Sequence, residues 1–320
     1  MNILILSAGT RNKIVQYFKK ELQGKGKVIA TDCSELAPAI YEADKYYIVP
    51  KIDNPEYIDV ILDICKQENI DTLISLIDPE LSLISRNIKL FNNIGVKPII
   101  SDYDKVEMCF DKYKMYEFLV KNNIKTIKTY IDIKEFYEDL ENKKINLPVF
   151  VKPIRGSASL NINKINSKEE LEVIWKNNQD LIIQEYMRGQ EIGADVYIDI
   201  VSNEPVAIFT KKKIKMRAGE TDKSVSFKDE KLFELICEFT RKAKFKGIID
   251  IDIFESNGEY YISEVNPRFG GGYPHAYECG VNVPKMILNN LNNIVNEPNI
   301  GNYEENIYMM KYNEIKIIKK

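Results

Sequence analysis

Four residues late in the chain, Asp252, Glu264, Asn266 and Arg268, have types and spacing suited to cation and phosphate chemistry. Asn257-Gly258 is a two-residue turn signal between Ile248–Glu255 and Glu259–Val265, which predicts an antiparallel hairpin. Asp252 and Glu264 lie at similar distances from that turn, so both can project from one face, and Asn266 returns to that face two residues on. Three oxygen ligands on adjacent strands suit a hard cation such as Mg2+, with phosphates and water completing the shell. Arg268 could clamp a phosphate or an anionic transition state. A hairpin with merely solvated charges is the plainer reading, but Glu264 lies between Ile262 and Val265 and leads into Pro267.

Other segments carry weaker signals. Val149-Phe150-Val151-Lys152-Pro153 ends an apolar strand on a lysine, which needs an anionic partner if buried. The loop after it, Arg155-Gly156-Ser157-Ala158-Ser159, has small residues whose N–H groups can approach an anion, or is simply a polar turn. Leu181–Met187 ends in Gln184-Glu185-Tyr186-Met187, which offers backbone donors and acceptors to an adenine edge, with Glu191 just beyond for ribose hydroxyls; a plain strand-turn-strand reads equally simply. In the basic stretch Lys211–Thr221, Lys213 or Arg217 could enter a site, or the charges are solvated; as a strand, Lys211, Lys213 and Lys215 share one face. Gly270-Gly271-Gly272-Tyr273-Pro274-His275 follows Arg268 and edges a second-substrate pocket, with His275 a base or only an accommodated side chain. Asp78-Pro79-Glu80 follows a strand, where it either selects substrate or starts a helix.

Composition narrows the chemistry. Of 320 residues, 45 are basic and 48 acidic, a net charge of −3 that leaves no surplus to neutralise nucleic-acid phosphates. No apolar run is long enough to span a bilayer, and the start reads as a strand instead of a signal peptide. Five scattered cysteines without a C-x-x-C pair argue against a disulfide framework or structural zinc and fit a reducing cytoplasm. With His275 the single histidine, a Ser-His-Asp triad and a multi-histidine metal site are excluded. Carboxylates, lysines and arginines must do the work.

The elements that position these residues follow from the apolar pattern. Strand-like runs at Asn2–Ser7, Lys27–Thr31, Tyr46–Val49, Thr72–Leu76 and Gly95–Ile100 alternate with helical stretches, which predicts a Rossmann-like α/β domain over 1–102. Ser7-Ala8-Gly9-Thr10 lacks G-x-G-x-x-G, which rejects a dinucleotide reading of this turn; a nicotinamide-dependent oxidoreductase on the N-terminal sheet is the competing hypothesis, which absent nicotinamide binding would remove. One linking helix is expected over 103–124, a small α+β subdomain over 125–186, a larger one with the metal and catalytic residues over 187–300, and a tail over 301–320. The fold class is thus α/β and α+β, a Rossmann-like N-terminal domain followed by a two-part domain.

The order of the pieces resembles the ATP-grasp superfamily, and within it the carboxylate–amine ligases that are similar to the carbamoyl phosphate synthase large subunit. The series runs Phe110-Asp111-Lys112, Val151-Lys152-Pro153, Gly156–Ser159, Gln184-Glu185-Tyr186-Met187, Glu191, then Glu264-Val265-Asn266-Pro267-Arg268. The resemblance implies that Lys112 and Lys152 contact nucleotide phosphates and that Gly156, Ser157, Ala158 and Ser159 close over them as a lid. It implies that Gln184 to Met187 form the adenine hinge and that Glu191 takes the ribose. Asp252, Glu264 and Asn266 would hold Mg2+, with Mn2+ as a substitute, and Arg268, aided by Lys213 or Arg217, would stabilise the acyl phosphate. The implied reaction joins a small-molecule carboxylate to an amine with ATP, releasing ADP and phosphate, in a cytoplasmic enzyme, by default a homodimer. A non-catalytic ATP-binding sensor is the alternative.

Overall fold

The structure is a computed structural model that describes residues 1–156 and 162–319. The first unit is a parallel five-stranded sheet of order β3-β2-β1-β4-β5. Its strands are β1 (Ile3–Leu6), β2 (Val28–Asp32), β3 (Lys45–Ile48), β4 (Thr72–Ser75) and β5 (Lys97–Pro98). Helices α1 (Asn12–Leu22), α2 (Tyr57–Gln67), α3 (Asp78–Arg86) and α4 (Ile88–Asn93) connect them. Every residue of β1, β2 and β4 is buried, which is why these runs are continuously apolar. The edge strand β3 is mostly exposed, and β5 shrinks to two residues, shorter than the apolar run Gly95–Ile100 suggests. Strand β1 pairs with β2 on one side and β4 on the other. The chain therefore reverses its direction of winding between β1 and β4, and a crevice opens at their carboxyl ends.

Where one linking helix is expected, two are found: α5 (Tyr103–Phe110) and α6 (Lys112–Lys121). Asp111 breaks the run in an extended conformation, and its side chain accepts the Lys114 N–H as the cap of α6. It also forms a β-bridge with Arg155. The small subdomain is a four-stranded sheet of order β6-β9-β7-β8. It contains β6 (Thr129–Tyr130), α7 (Ile133–Glu141), β7 (Val149–Pro153), β8 (Asn163–Ile165), α8 (Lys168–Asn177) and β9 (Leu181–Glu185). Tyr130, Phe136, Val149, Val151 and Ile183 form its own core.

The large sheet is antiparallel apart from a short parallel pairing of β15, and its main path runs β14-β13-β10-β11-β12-β16. Its strands are β10 (Gln190–Ile198), β11 (Pro205–Arg217), β12 (Glu220–Ser226), β13 (Gly247–Ser256), β14 (Glu259–Asn266), β15 (Asn299–Ile300) and β16 (Tyr308–Met310), with α9 (Glu230–Ala243), α10 (Tyr273–Glu278) and α11 (Val283–Leu291). The tail, for which the sequence suggests no role, supplies the edge strand β16. Period-two alternation divides the faces. Ile192, Ala194, Val196, Ile249, Ile251 and Ile253 are buried in the core, while Glu191, Asp195, Asp250 and Asp252 occupy the intervening positions. That core is continuous with the N-terminal unit: Phe18 of α1 meets Phe269 at 6.0 Å between ring centroids, and Tyr17 stacks on Tyr277 at 3.6 Å. Helix α1, and the crevice it borders, is thereby fixed against the polar face of the large sheet.

Candidate active site

The Asn-Gly turn forms as the sequence predicts, with Asn257 and Gly258 both at positive φ. A regular ladder from it pairs Ile253 with Ile262 and would next place Ser263 opposite Asp252. A bulge intervenes, and Glu264 is the partner of Asp252, with Asn266 opposite Asp250. The bulge turns Glu264 onto the face of Asp252. Four polar side chains therefore share that face, one more than expected. Asp250 was legible in principle, being two residues from Asp252 in the alternation Ile249-Asp250-Ile251-Asp252-Ile253.

These residues line a cavity of about 210 Å3. Glu191, Lys213, Asp252 and Glu264 border it, and Arg268 and Asn266 lie beside them. The Lys213 ammonium donates to Asp252 Oδ1 at 2.7 Å and to Glu191 Oε1 at 2.9 Å. Burial works against its charge, but Asp252 and Glu191 outweigh burial and raise its pKa. Arg268 donates to Asp78 Oδ2 at 3.1 Å and to Asn266 Oδ1 at 3.1 Å, and Asp78 and Asp250 likewise raise its pKa against burial. Desolvation, then Asp252 and Asp195, push Asp250 upward. Beneath them Lys211 and Asp195 form a fully buried ion pair, and burial raises the Asp195 pKa despite that lysine.

The glycine run after Arg268 exists because these charges pack on its backbone. A Cβ at Gly270 would lie 2.4 Å from the Asp250 carboxyl carbon, and one at Gly272 would lie 2.8 Å from Lys211 Cε.

Two charged side chains lack partners among the described residues. The Lys152 side chain, in a residue 7% exposed, makes no hydrogen bond or ion pair among the described residues, and burial lowers its pKa against the pull of Glu264. The side chain of Glu264, half-buried on the cavity wall, also makes none among the described residues. No group of three His, Cys, Asp or Glu among the described residues forms a ready metal cage. Two carboxylates and an amide are instead an open donor set, which suits a cation such as Mg2+ that keeps water and phosphate ligands.

The remaining expected residues are placed as follows. Lys112 begins α6 and donates to the Gly156 carbonyl at 2.5 Å, next to the expected lid. Ser157, Ala158 and Ser159 lie outside the described residues. Gln184 is buried and donates to Thr129 Oγ1. Glu185 ends β9, and the Tyr186 ring lies 5.3 Å from Phe150 with Lys164 over it at 4.1 Å. Met187 follows, half-buried.

Arg217 is not brought in: it is exposed, does not line the cavity, and lies 3.7 Å from Asp222. Register shifts on either side of Lys215 break the strict alternation of β11, so Met216 reaches the cavity wall and Lys215 does not share the Lys211–Lys213 face there. His275 is no base. It is buried, Ser224 Oγ lies 2.8 Å from Nδ1, the Ile307 carbonyl lies 3.0 Å from Nε2, and burial lowers its pKa to about 4. Asp78 begins α3, as one of its two readings expects, and it also lines the cavity. Arg11 and Glu220, also in the wall, carry no local sequence signal, since they meet across 209 positions of chain (220 − 11).

Known proteins fit this architecture. Residues 3–99 match the PylC-like N-terminal domain family, and residues 109–272 match the ATP-grasp domain family. The chain belongs to the ATP-grasp family, with a PylC-like N-terminal domain. It is 27% identical over 217 residues to the coenzyme gamma-F420-2:alpha-L-glutamate ligase of Methanococcus maripaludis, covering 64% of this chain and 72% of that protein. It is 26% identical over 253 residues to the carbamoyl phosphate synthase large chain of Clostridium beijerinckii, covering 73% of this chain but only 22% of that one. In fold it is similar to the biotin carboxylase domain of the Hydrogenobacter thermophilus 2-oxoglutarate carboxylase, crystallised with MgADP and bicarbonate. That likeness has a TM-score of 0.77 at 17% identity, over 96% of this chain and 73% of that one. By family the chain is an ATP-dependent, ADP-forming carbon–nitrogen ligase. No described helix is long and apolar enough to cross a membrane.

Proposed function

We propose that the enzyme joins a small-molecule carboxylate to an amine, forming an amide or peptide bond through an acyl phosphate. The observation that carries this is the convergence of Lys213, Asp252, Glu264, Asn266 and Arg268 on one cavity. In this reading Lys112 and Lys152 hold the nucleotide phosphates, Gln184 to Met187 receive the adenine, and Glu191 takes the ribose. Residues 156–159 close over the phosphates and exclude water. Asp252, Glu264 and Asn266 would hold Mg2+, or Mn2+ in its place, which neutralises charge on the transferring phosphoryl group. The substrate carboxylate oxygen attacks the γ-phosphorus, and the bond to ADP breaks. The amine nitrogen then attacks the acyl carbon, the C–O bond to phosphate breaks, and the amine loses a proton. Lys213 and Arg268 stabilise the negative oxygens in both steps.

The chain divides accordingly into 1–102, a linking segment 103–124, a lid subdomain 125–186, a catalytic subdomain 187–300 and a tail. The five free cysteines agree with a cytoplasmic setting, and a homodimer is the expected assembly. Pooled carboxylates and amines incubated with ATP and Mg2+ test the reading by mass spectrometry. A product whose mass is acid plus amine minus water, absent without ATP, is expected. A phosphorylated acid that never passes to an amine would contradict it.

A further inference from the structure

Two groups of residues line the cavity. One is the set proposed above for the cation and the negative oxygens of the reaction. The other is built partly by the N-terminal unit, at the carboxyl ends of β1 and β4 where its winding reverses. From there come Arg11, just before α1, and Asp78, at the start of α3. The β11–β12 turn adds Glu220. Arg11 lies 2.8 Å from Glu220 Oε1, and the other oxygen, Oε2, is 2.8 Å from the Lys311 ammonium of the tail. Burial and the nearby Arg268 depress the Arg11 pKa, against the pull of Glu220. Asp78 is 6% exposed; Oδ2 is taken by Arg268, while Oδ1 is buried with no hydrogen-bond partner among the described residues.

This part of the wall thus holds the Arg11 guanidinium and, just inside the wall, a buried Asp78 oxygen with no donor among the described residues. Glu220 differs from Asp78 in how it is held. It hangs from a turn whose Ala218 and Gly219 are at positive φ, and its side chain is 34% exposed. It also has a second cation, so leaving Arg11 would not strand its charge. An incoming carboxylate can replace it on the guanidinium in a two-bond geometry while Lys311 keeps Glu220. An ammonium on the same molecule would supply the donor that Asp78 Oδ1 lacks.

Resting on the ligase reading above, we propose that Glu220 occupies on Arg11 the place of the amine substrate's own carboxylate. The amine substrate is then an amino acid, bound by Arg11 through its carboxylate and by Asp78 through its ammonium, and the tail residue Lys311 parks Glu220 during turnover. The N-terminal unit selects the amine substrate.

The test measures ADP release with ATP, Mg2+ and pooled small carboxylates, adding each of the common amino acids or its α-carboxamide. The intact enzyme is expected to prefer acid to amide by about a hundredfold. Arg11→Gln should erase that preference and raise the amino-acid KM by a similar factor, leaving the ATP KM within about twofold. Glu220→Gln should lower the amino-acid KM several-fold, because a competing carboxylate is weakened. If Arg11→Gln folds poorly by thermal melting, Arg11→Lys keeps the charge, loses the two-bond fork and should show an intermediate preference. A preference undiminished from that of the intact enzyme, in Arg11→Gln or, where that variant folds poorly, in Arg11→Lys, overturns the proposal. So do equal losses in Arg11→Gln and Glu220→Gln, the mark of a purely structural pair. Activity only with amines that lack a carboxylate would overturn this proposal and leave the ligase reading standing, whereas no ADP release with any pair would remove the ligase reading itself.

Discussion

At the scale of single residues, the site separates groups that carry structure from groups that await a ligand. The Glu264 side chain makes no hydrogen bond or ion pair among the described residues, and it acts on the fold through its field at the buried Lys152 and Arg268. Glu264→Gln is therefore expected to lower kcat on the order of 10^2-fold or more while shifting Tm by less than about 2 °C. Arg268 is different, because it neutralises the buried Asp78. Arg268→Ala should abolish turnover and also cost about 3 kcal/mol of stability in urea unfolding, and adding Asp78→Asn should restore much of that stability but no activity. His275 belongs with structure. Its folded pKa of about 4 lies below the unfolded value of about 6.5, so the neutral ring stabilises the fold fully above pH 6.5. That stabilisation, up to about 3 kcal/mol, is lost as pH falls from 6.5 toward 4. Urea midpoints across that range should fall less in His275→Asn than in the parent chain. A kcat profile whose acid limb disappears in that variant would instead make His275 catalytic.

At the scale of elements, the turn chemistry was legible and the irregularities were not. Asn257-Gly258 announced the hairpin, and it brought Asp252, Glu264 and Asn266 to one face. The bulge that makes this possible has no signal in Ser263, because a bulge depends on what the partner strand and the cavity require. The same holds for the irregularities of β11, which carry Met216 into the wall and leave Arg217 outside. Asp111 could have been read as a helix cap, but the apolar period continues through it and reads as one helix. The glycine run after Arg268 edges the cavity as expected, with Gly271 and Gly272 in its wall, and it also packs closely on Asp250 and Lys211, which no local pattern shows. Gly270→Ala must push the Asp250 carboxylate off its place and is expected to destabilise by about 1–3 kcal/mol. An unchanged urea midpoint would mean that Asp250 relaxes freely.

At the scale of the whole molecule, the parallel sheet and the large antiparallel sheet share a continuous core, which fixes the mouth of the N-terminal crevice against the polar face of the large sheet. The parallel sheet and the order of the motifs were readable because buried strands are continuously apolar and each motif is local. The wall residues Arg11 and Glu220 were not, since their meeting is made by the docking of two units and no local pattern encodes it. In the tail a possible strand was readable but its role was not: β16 closes an edge of the large sheet and Lys311 reaches Glu220. The central claim is that this assembled cavity couples ATP cleavage to joining an acid and an amine. It is tested most directly by ADP release from ATP and Mg2+ with a carboxylate alone, an amine alone, and both. Release that rises substantially only with both is the predicted result. Release that is equally fast without either substrate, or that never responds to any pair although ATP binds, would contradict it.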